Sequence, residues 1–262
     1  MGTCNYSLID KYPETHTLGR AFFEFSCPEQ SYGDSEYCIL HHDFPKDGAP
    51  DFEVIKRHKE QKVNEKKDSR NFNFIGARIY EIDGAGRQDI GNVDLTDAEI
   101  RGNVNFKGAY IGDGVRITDA TIEGDVSFDG ATISGFVAIY RVKEGPAIKG
   151  DFSFTGTTLP ASWFDGLEIR KDVSFDRATI VGNAYFRDII VKGSVWFNDV
   201  TVNGAVLFKS AKVDGNIWIE GTDRISGELS FQGATFKRPR AEESACRAAK
   251  QNCERRGGQT RS

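Results

Sequence analysis

Apolar residues recur along the middle of the chain with a period of eleven. Ala98, Ala109, Ala120 and Ala131 stand eleven apart, and each is followed two residues later by an isoleucine, Ile100, Ile111, Ile122 or Ile133. Between them run Val104, Val115, Val126 and Val137, followed two positions on by Phe106, Ile117, Phe128 and Ile139. The pattern returns as Ala178, Ile189, Val200 and Ala211, interleaved with Val173, Ala184, Val195, Val206 and Ile217. Residues at i and i+2 share one face of an extended segment, so each unit predicts two short strands; a helix would need spacings of three and four. The residues between them, such as Asn105, Thr121, Ser127, Thr132, Ser174 and Thr179, are small, polar or β-branched and predict a solvated face. Glycines 102, 124, 130, 135, 182, 193, 204 and 215 fall where the chain must turn.

A three-residue strand cannot bury a face alone, so successive coils must stack around one interior column. Alanine-led and valine-led strands alternate, which requires an even number of faces. Four faces give 22 residues per coil and, over Phe72 to Phe236, about seven coils. The expected fold is therefore an all-β solenoid. The period slips between Tyr140 and Gly166, where Arg141 to Ile148 and Leu159 to Phe164 do not fit the unit. These segments predict a corner loop bulging from the rod, or a protrusion that carries contacts.

The unit Ala-x-Ile-x-Gly-x-Val-x-Phe-x-Gly resembles the pentapeptide repeat, in which a small residue stands two positions before a large apolar one. The segments Phe128-Asp-Gly-Ala-Thr-Ile133 and Phe231-Gln-Gly-Ala-Thr-Phe236 look like the variant common in archaeal members. The resemblance implies a right-handed, four-sided β-helix. One departure stands out: the apolar centres step alternately by five and six residues, where a strict pentapeptide helix steps by five throughout.

Residues 1–50 lack the period and hold three of the five cysteines and three of the four histidines. Cys38 and His41 form a Cys-x-x-His knuckle, a spacing that turns two side chains onto one metal, and Cys4 and Cys27 supply two more corners of a tetrahedral Cys3His zinc site. Phe22, Phe23 and Phe25 predict a strand ahead of Cys27-Pro28, and zinc would contribute folding free energy to a module with few aliphatic residues. The alternatives are a free thiol at Cys4 with Cys27 and Cys38 as small buried hydrophobes and His41 and His42 solvated, or a disulfide, against which the odd total of five cysteines counts. The module also resembles one that precedes the repeat in some archaeal pentapeptide-repeat proteins. That resemblance implies Cys4, Cys27, Cys38 and His41 as ligands, with His42 as substitute, in a structural rather than catalytic site. Residues 51–71 predict a charged, solvated helix and linker that packs over the first coil, in which Phe52, Val54 and Ile55 form an apolar patch and Lys56 to Lys67 is mostly charge.

Residues 237–262 carry eight Lys or Arg against three Glu and predict a basic capping helix over Ala241 to Arg256. This tail resembles the helix that leads into a two-helix channel pore in some archaeal members, so a cytoplasmic regulatory module of a membrane channel is one functional alternative. A DNA-mimicking topoisomerase ligand is another, but residues 72–236 hold 23 acidic and 16 basic residues, a weak field for mimicry. The whole chain of 262 residues has a formal charge of −5, which argues against nucleic acid as a partner, and it has no apolar run long enough for a membrane helix. A membrane would enter only through a further segment or a partner. Residues Met1 to Asp10 lack a signal-peptide core, so the expected location is the cytoplasm.

No histidine follows His58, and Asp125, Asp129, Asp172 and Asp176 fall on outward corners, so the solenoid predicts no catalytic constellation and no small-molecule substrate. The favoured reading is a non-enzymatic scaffold that presents a long face to a protein partner. Trp196 and Trp218, 22 apart, should stack on one face as an interaction patch, with Tyr185 on another face.

Overall fold

A computed structural model describes residues 2–8, 25–141 and 147–236. The middle of the chain is a solenoid of parallel two-residue strands, most of which pair with the strand one coil before and one coil after. The pairing ladders define four faces. On face A, Ile79, Ile100, Ile122, Ile148, Ile169, Val191, Val213 and Phe236 lie in register. Face B carries Ile82, Val104, Val126, Phe152, Val173, Val195 and Ile217. Face C carries Ile90, Ile111, Ile133, Leu159, Ile180, Val202 and Ile225, while face D carries Phe72, Val93, Val115, Val137, Ser162, Ala184, Val206 and Leu229. Face B alone is a seven-stranded sheet, which matches the expected seven coils.

The alternation of five- and six-residue steps follows from two kinds of corner. Corners from B to C and from D to A hold two residues, closed by a bond such as Ala131 N–H to Phe128 O at 2.9 Å. The second corner residue is left-handed, as in Gly130 at φ 65°, Asp119 at 53° and Arg177 at 58°, which is the signature of a turn with positive φ at its third position. Corners from A to B and from C to D hold three residues and pass so close to the coil below that a Cβ rarely fits. At Gly215 a Cβ would lie 2.5 Å from the carbonyl oxygen of Gly193. Glycine is needed there for close approach rather than for φ. The next residue in the A-to-B corner is polar and tethers the coil above it. Asn103 accepts from the Asp125 N–H at 2.9 Å, Asp125 from Asp151 at 2.8 Å, Asp151 from Asp172 at 3.0 Å and Asp172 from Ser194 at 2.7 Å.

The interior is one apolar cluster. Phe106, Phe128, Phe154 and Phe175 form a column of parallel rings with centroids 5.3, 4.9 and 5.1 Å apart, and Phe164, Phe186, Phe208 and Phe231 form a second. Offset stacks of this kind add to plain burial.

Of the two segments that break the period, Leu159 to Phe164 is no bulging loop. Thr158–Trp163 is a strand that crosses from face C to face D with one corner residue omitted, and the register shift falls between Pro160 and Ser162. The extra length sits instead in the corner before Ala147, most of which, residues 142–146, lies outside the described residues, as do Phe22, Phe23 and the tail from 237 on. The helix α1, Phe52–Asp68, forms where residues 51–71 predict it, but it is not simply solvated, since Ile55, Lys59 and Val63 are buried.

Candidate metal centre

Two arms and a loop build the site. Residues 2–8 run antiparallel to residues 25–30, with bridges Thr3 to Gln30 and Ser7 to Ser26, and backbone bonds from Cys4 N–H to Glu29 O and from Cys27 N–H to Tyr6 O set Cys4 and Cys27 side by side. After Cys38 the chain turns back, so that the His41 and His42 N–H groups both donate to the Cys38 carbonyl at 3.0 and 2.8 Å. This fold-back is what a Cys-x-x-His spacing permits, because it brings both side chains to the same side.

The four residues meet. All ligand atoms of Cys4, Cys27, Cys38 and His41 lie within 4.8 Å of one another, and all four residues are buried. His41 Nδ1 is 3.3 Å from Cys4 Sγ and 3.2 Å from Cys38 Sγ, and Cys27 Sγ is 3.8 Å from Cys38 Sγ. Two thiolates each about 2.3 Å from a tetrahedral ion lie about 3.8 Å apart, so the cage has the right size for a small four-coordinate cation. His42, the substitute ligand, points elsewhere: its Nδ1 contacts the Asp43 carbonyl at 3.0 Å.

The surroundings fix the ring and the charge. His41 Nε2 sits 2.8 Å from the Ile75 carbonyl, which holds the proton on Nε2 and leaves Nδ1 as the ligand. Tyr6 stacks on the imidazole at 4.1 Å and 2° and hydrogen-bonds Asp97 at 2.7 Å, tying the ring to the solenoid. The hydrogen bond from Cys27 draws the Cys38 thiol down to about 3, and His41 pulls the same way. Burial pushes Cys4 up, and hydrogen bonding to Cys38 together with burial pushes Cys27 up. The thiols that bind a cation do so as thiolates, so metal uptake at this cage releases protons.

The solenoid takes part in the site. Arg78 N–H donates to the Leu40 carbonyl at 2.6 Å, as Glu99 N–H donates to Ala77 and Thr121 N–H to Ala98 one and two coils on. Leu40 therefore occupies the ladder position of a preceding coil, and the knuckle covers the open edge of face A, where an unpaired strand would invite aggregation. From α1, Lys59 reaches in with Nζ 2.7 Å from Ile39 O, 2.6 Å from His42 O and 2.8 Å from Arg78 O. Burial lowers its ammonium to about 7, and the Arg78 charge adds to this. Its three donors clamp the knuckle to the first coil. Sequence reasoning placed Lys59 in a solvated run; the spacing Ile55, Lys59, Val63 was the available signal, one helical face with a lysine at its centre.

Trp196 and Trp218 are in register on face B, stacked at 5.4 Å and 12°, and half-buried, whereas Tyr185 lies on face D. The corner carboxylates are engaged in structure: Asp129 accepts from Ser153 and from the Thr155 N–H, and Asp176 from the Asn198 N–H. Among the described residues no helix is long and apolar enough to cross a membrane.

A family model described as "Pentapeptide repeats (9 copies)" matches residues 90–132 and 154–201, and the stretch between the two matches includes the place where the period slips. The solenoid belongs to the pentapeptide-repeat family. Pentapeptide-repeat solenoids are structural or interaction modules and are generally non-enzymatic. The matched residues exclude the metal cage, which stands on its geometry alone. Comparison with curated proteins and with solved structures returned no match.

Proposed function

We propose that this chain is a non-enzymatic scaffold, a pentapeptide-repeat rod that presents its faces to a protein partner and is capped at one end by a structural zinc module. The observation that carries the reading is the closed cage of Cys4, Cys27, Cys38 and His41. Four protein donors satisfy a tetrahedral ion and leave no position for a water or a substrate, which is the arrangement of a structural centre. Three sulfurs and one imidazole suit zinc better than magnesium or calcium, whose ligands are oxygens. When bound, zinc supplies folding free energy to residues that share the interior cluster of the first coil.

The rest of the rod supports the same function. Its corner carboxylates hold coils together, and its regular faces offer area instead of converging groups. The Trp196 and Trp218 stack is one candidate contact patch. Reduced thiols at a buried zinc site fit a cytoplasmic location. The test is metal content by mass spectrometry on protein purified without added metal or chelator. About one zinc per chain is expected in the wild type, with loss of most of it in Cys38→Ala. Absence of metal from well-folded wild-type protein would overturn the zinc module.

A further inference from the structure

Face D carries a feature that the scaffold reading does not use. The outward residues of most strands are polar, but on face D the successive positions Ala138, Trp163, Tyr185 and Leu207 are in register and apolar. Phe136 and Trp163 are 39% and 38% exposed, and Trp163 stacks on Tyr185 at 5.8 Å and 11°. Because Ala138 is small, a groove of about 770 Å³ opens over it, walled by Phe136, Tyr140 and Trp163. Its rim alternates in sign. Arg187 pairs with Asp165, and Arg116 pairs with Asp94 and lies over the Phe136 ring at 5.1 Å.

We propose that face D is the contact surface of a homodimer, in which two rods pack antiparallel about a two-fold axis along the strand direction at the level of Trp163. The register gives the reason. A half-turn about that axis exchanges the coil before Trp163 with the coil after it. Ala138 then faces Tyr185 of the second copy, so the large ring of one rod enters the groove of the other, twice. The corner column beside the groove reads Arg141, Gly166 and Asp188, as shown by the bonds from Arg141 N–H to Asp165 O and from Gly166 N–H to Arg187 O. The same rotation sets Arg141, whose Nη1 also donates to the Ala120 carbonyl at 2.7 Å, against Asp188 of the second copy, again twice, with the side-chain-free Gly166 nearest the axis. A surface that carries both halves of a size pair and both halves of a charge pair, symmetrically about one row, is self-complementary, which a two-fold interface requires. Aromatic and arginine residues at its centre are those that dominate binding energy. The apolar row spans four coils, about 14 Å from Ala138 to Leu207, so the interface is small and its dissociation constant falls in the range of about 1–100 µM.

This inference deepens the scaffold reading by naming one partner, a second copy of the chain. Sedimentation equilibrium of the full chain, from about 5 µM to about 500 µM so as to bracket that range, should show a reversible dimer. Ala138→Trp fills the groove from the solvent side, and Trp163→Glu places charge on the axis; each should weaken the dimer by about thirtyfold or more, and Ala138→Trp should do so without moving the melting temperature. Trp196→Glu, on face B, should leave it unchanged. Asp188→Arg should also weaken the dimer, and the double variant Arg141→Asp/Asp188→Arg should restore it, because only the antiparallel arrangement pairs these two positions. Arg177 already holds the equivalent left-handed turn position, so arginine at 188 is compatible with the fold. A wild type that stays monomeric to about 500 µM overturns the proposal and assigns the groove to a partner of another sequence. A dimer indifferent to both face-D variants overturns it as well. Neither result touches the zinc module, which the metal content decides separately.

Discussion

Replacing Lys59 with methionine removes the ammonium and keeps an unbranched apolar stem in its place, so it isolates the three hydrogen bonds to Ile39, His42 and Arg78. These bonds are 2.6–2.8 Å long and join the knuckle, through residues that flank Cys38 and His41, to the first coil. Bonds from a charged donor contribute about 1.5–3 kcal/mol each, and much of this is offset by the cost of burying the ammonium. The variant recovers that cost but leaves buried carbonyls without donors, at about 1–3 kcal/mol each where water cannot reach. A net loss of about 2–4 kcal/mol follows. Because the knuckle loses its anchor, metal affinity should fall by about 10- to 100-fold, as is usual for outer-sphere partners of a metal site. Lys59→Arg should not rescue it, since a planar guanidinium cannot direct three donors to carbonyls on three sides. The assay is competition with a chromophoric chelator, read together with thermal unfolding. A Lys59→Met protein that holds metal within about twofold of wild type and melts at the same temperature would refute the reasoning, because methionine at this position cannot make any of the three bonds.

Three further outcomes follow from the geometry. Phe154→Ala empties the middle of the stacked column between Phe128 and Phe175 and should cost about 3–5 kcal/mol in urea unfolding. Gly124→Ala places a Cβ 2.5 Å from the Gly102 carbonyl oxygen and should cost about 1–3 kcal/mol, whereas Gly130→Asp, at a left-handed turn with open space around it, should stay within about 1 kcal/mol. Stripping the metal with a chelator should raise hydrogen exchange in residues 25–50 and in the first coil, and leave the coils beyond Val173 protected, because a solenoid passes stability only between neighbours.

The periodic part of the molecule was legible because burial at i and i+2 leaves a mark every eleven residues. Ala120, Ile122, Val126 and Phe128 are all inward, and Thr121 and Ser127 point out, as their spacing predicts. What spacing could not separate was the two corner types, since φ at Asp119 and the packing of Gly124 depend on the coils on either side. The metal cage was legible as residue types, with Cys38 and His41 three apart, yet its attachment was not. Lys59 reads as one charge in a charged run, and only the fold brings the Ile39, His42 and Arg78 carbonyls around it. On the rod, Trp196 and Trp218 stand out in the sequence because their spacing of 22 falls in an uninterrupted stretch. Trp163 and Tyr185 share that period, but Trp163 follows the inserted corner and the omitted residue after Pro160, which obscured the register.

Whether the end of the rod holds a closed, sulfur-rich centre is read by X-ray absorption at the zinc edge. The expected spectrum has three sulfur neighbours at about 2.3 Å and one nitrogen at about 2.0 Å with no oxygen shell, and one fewer sulfur in Cys27→Ser. Two sulfurs or fewer in the wild type, or a bound water in the first coordination sphere, would contradict it.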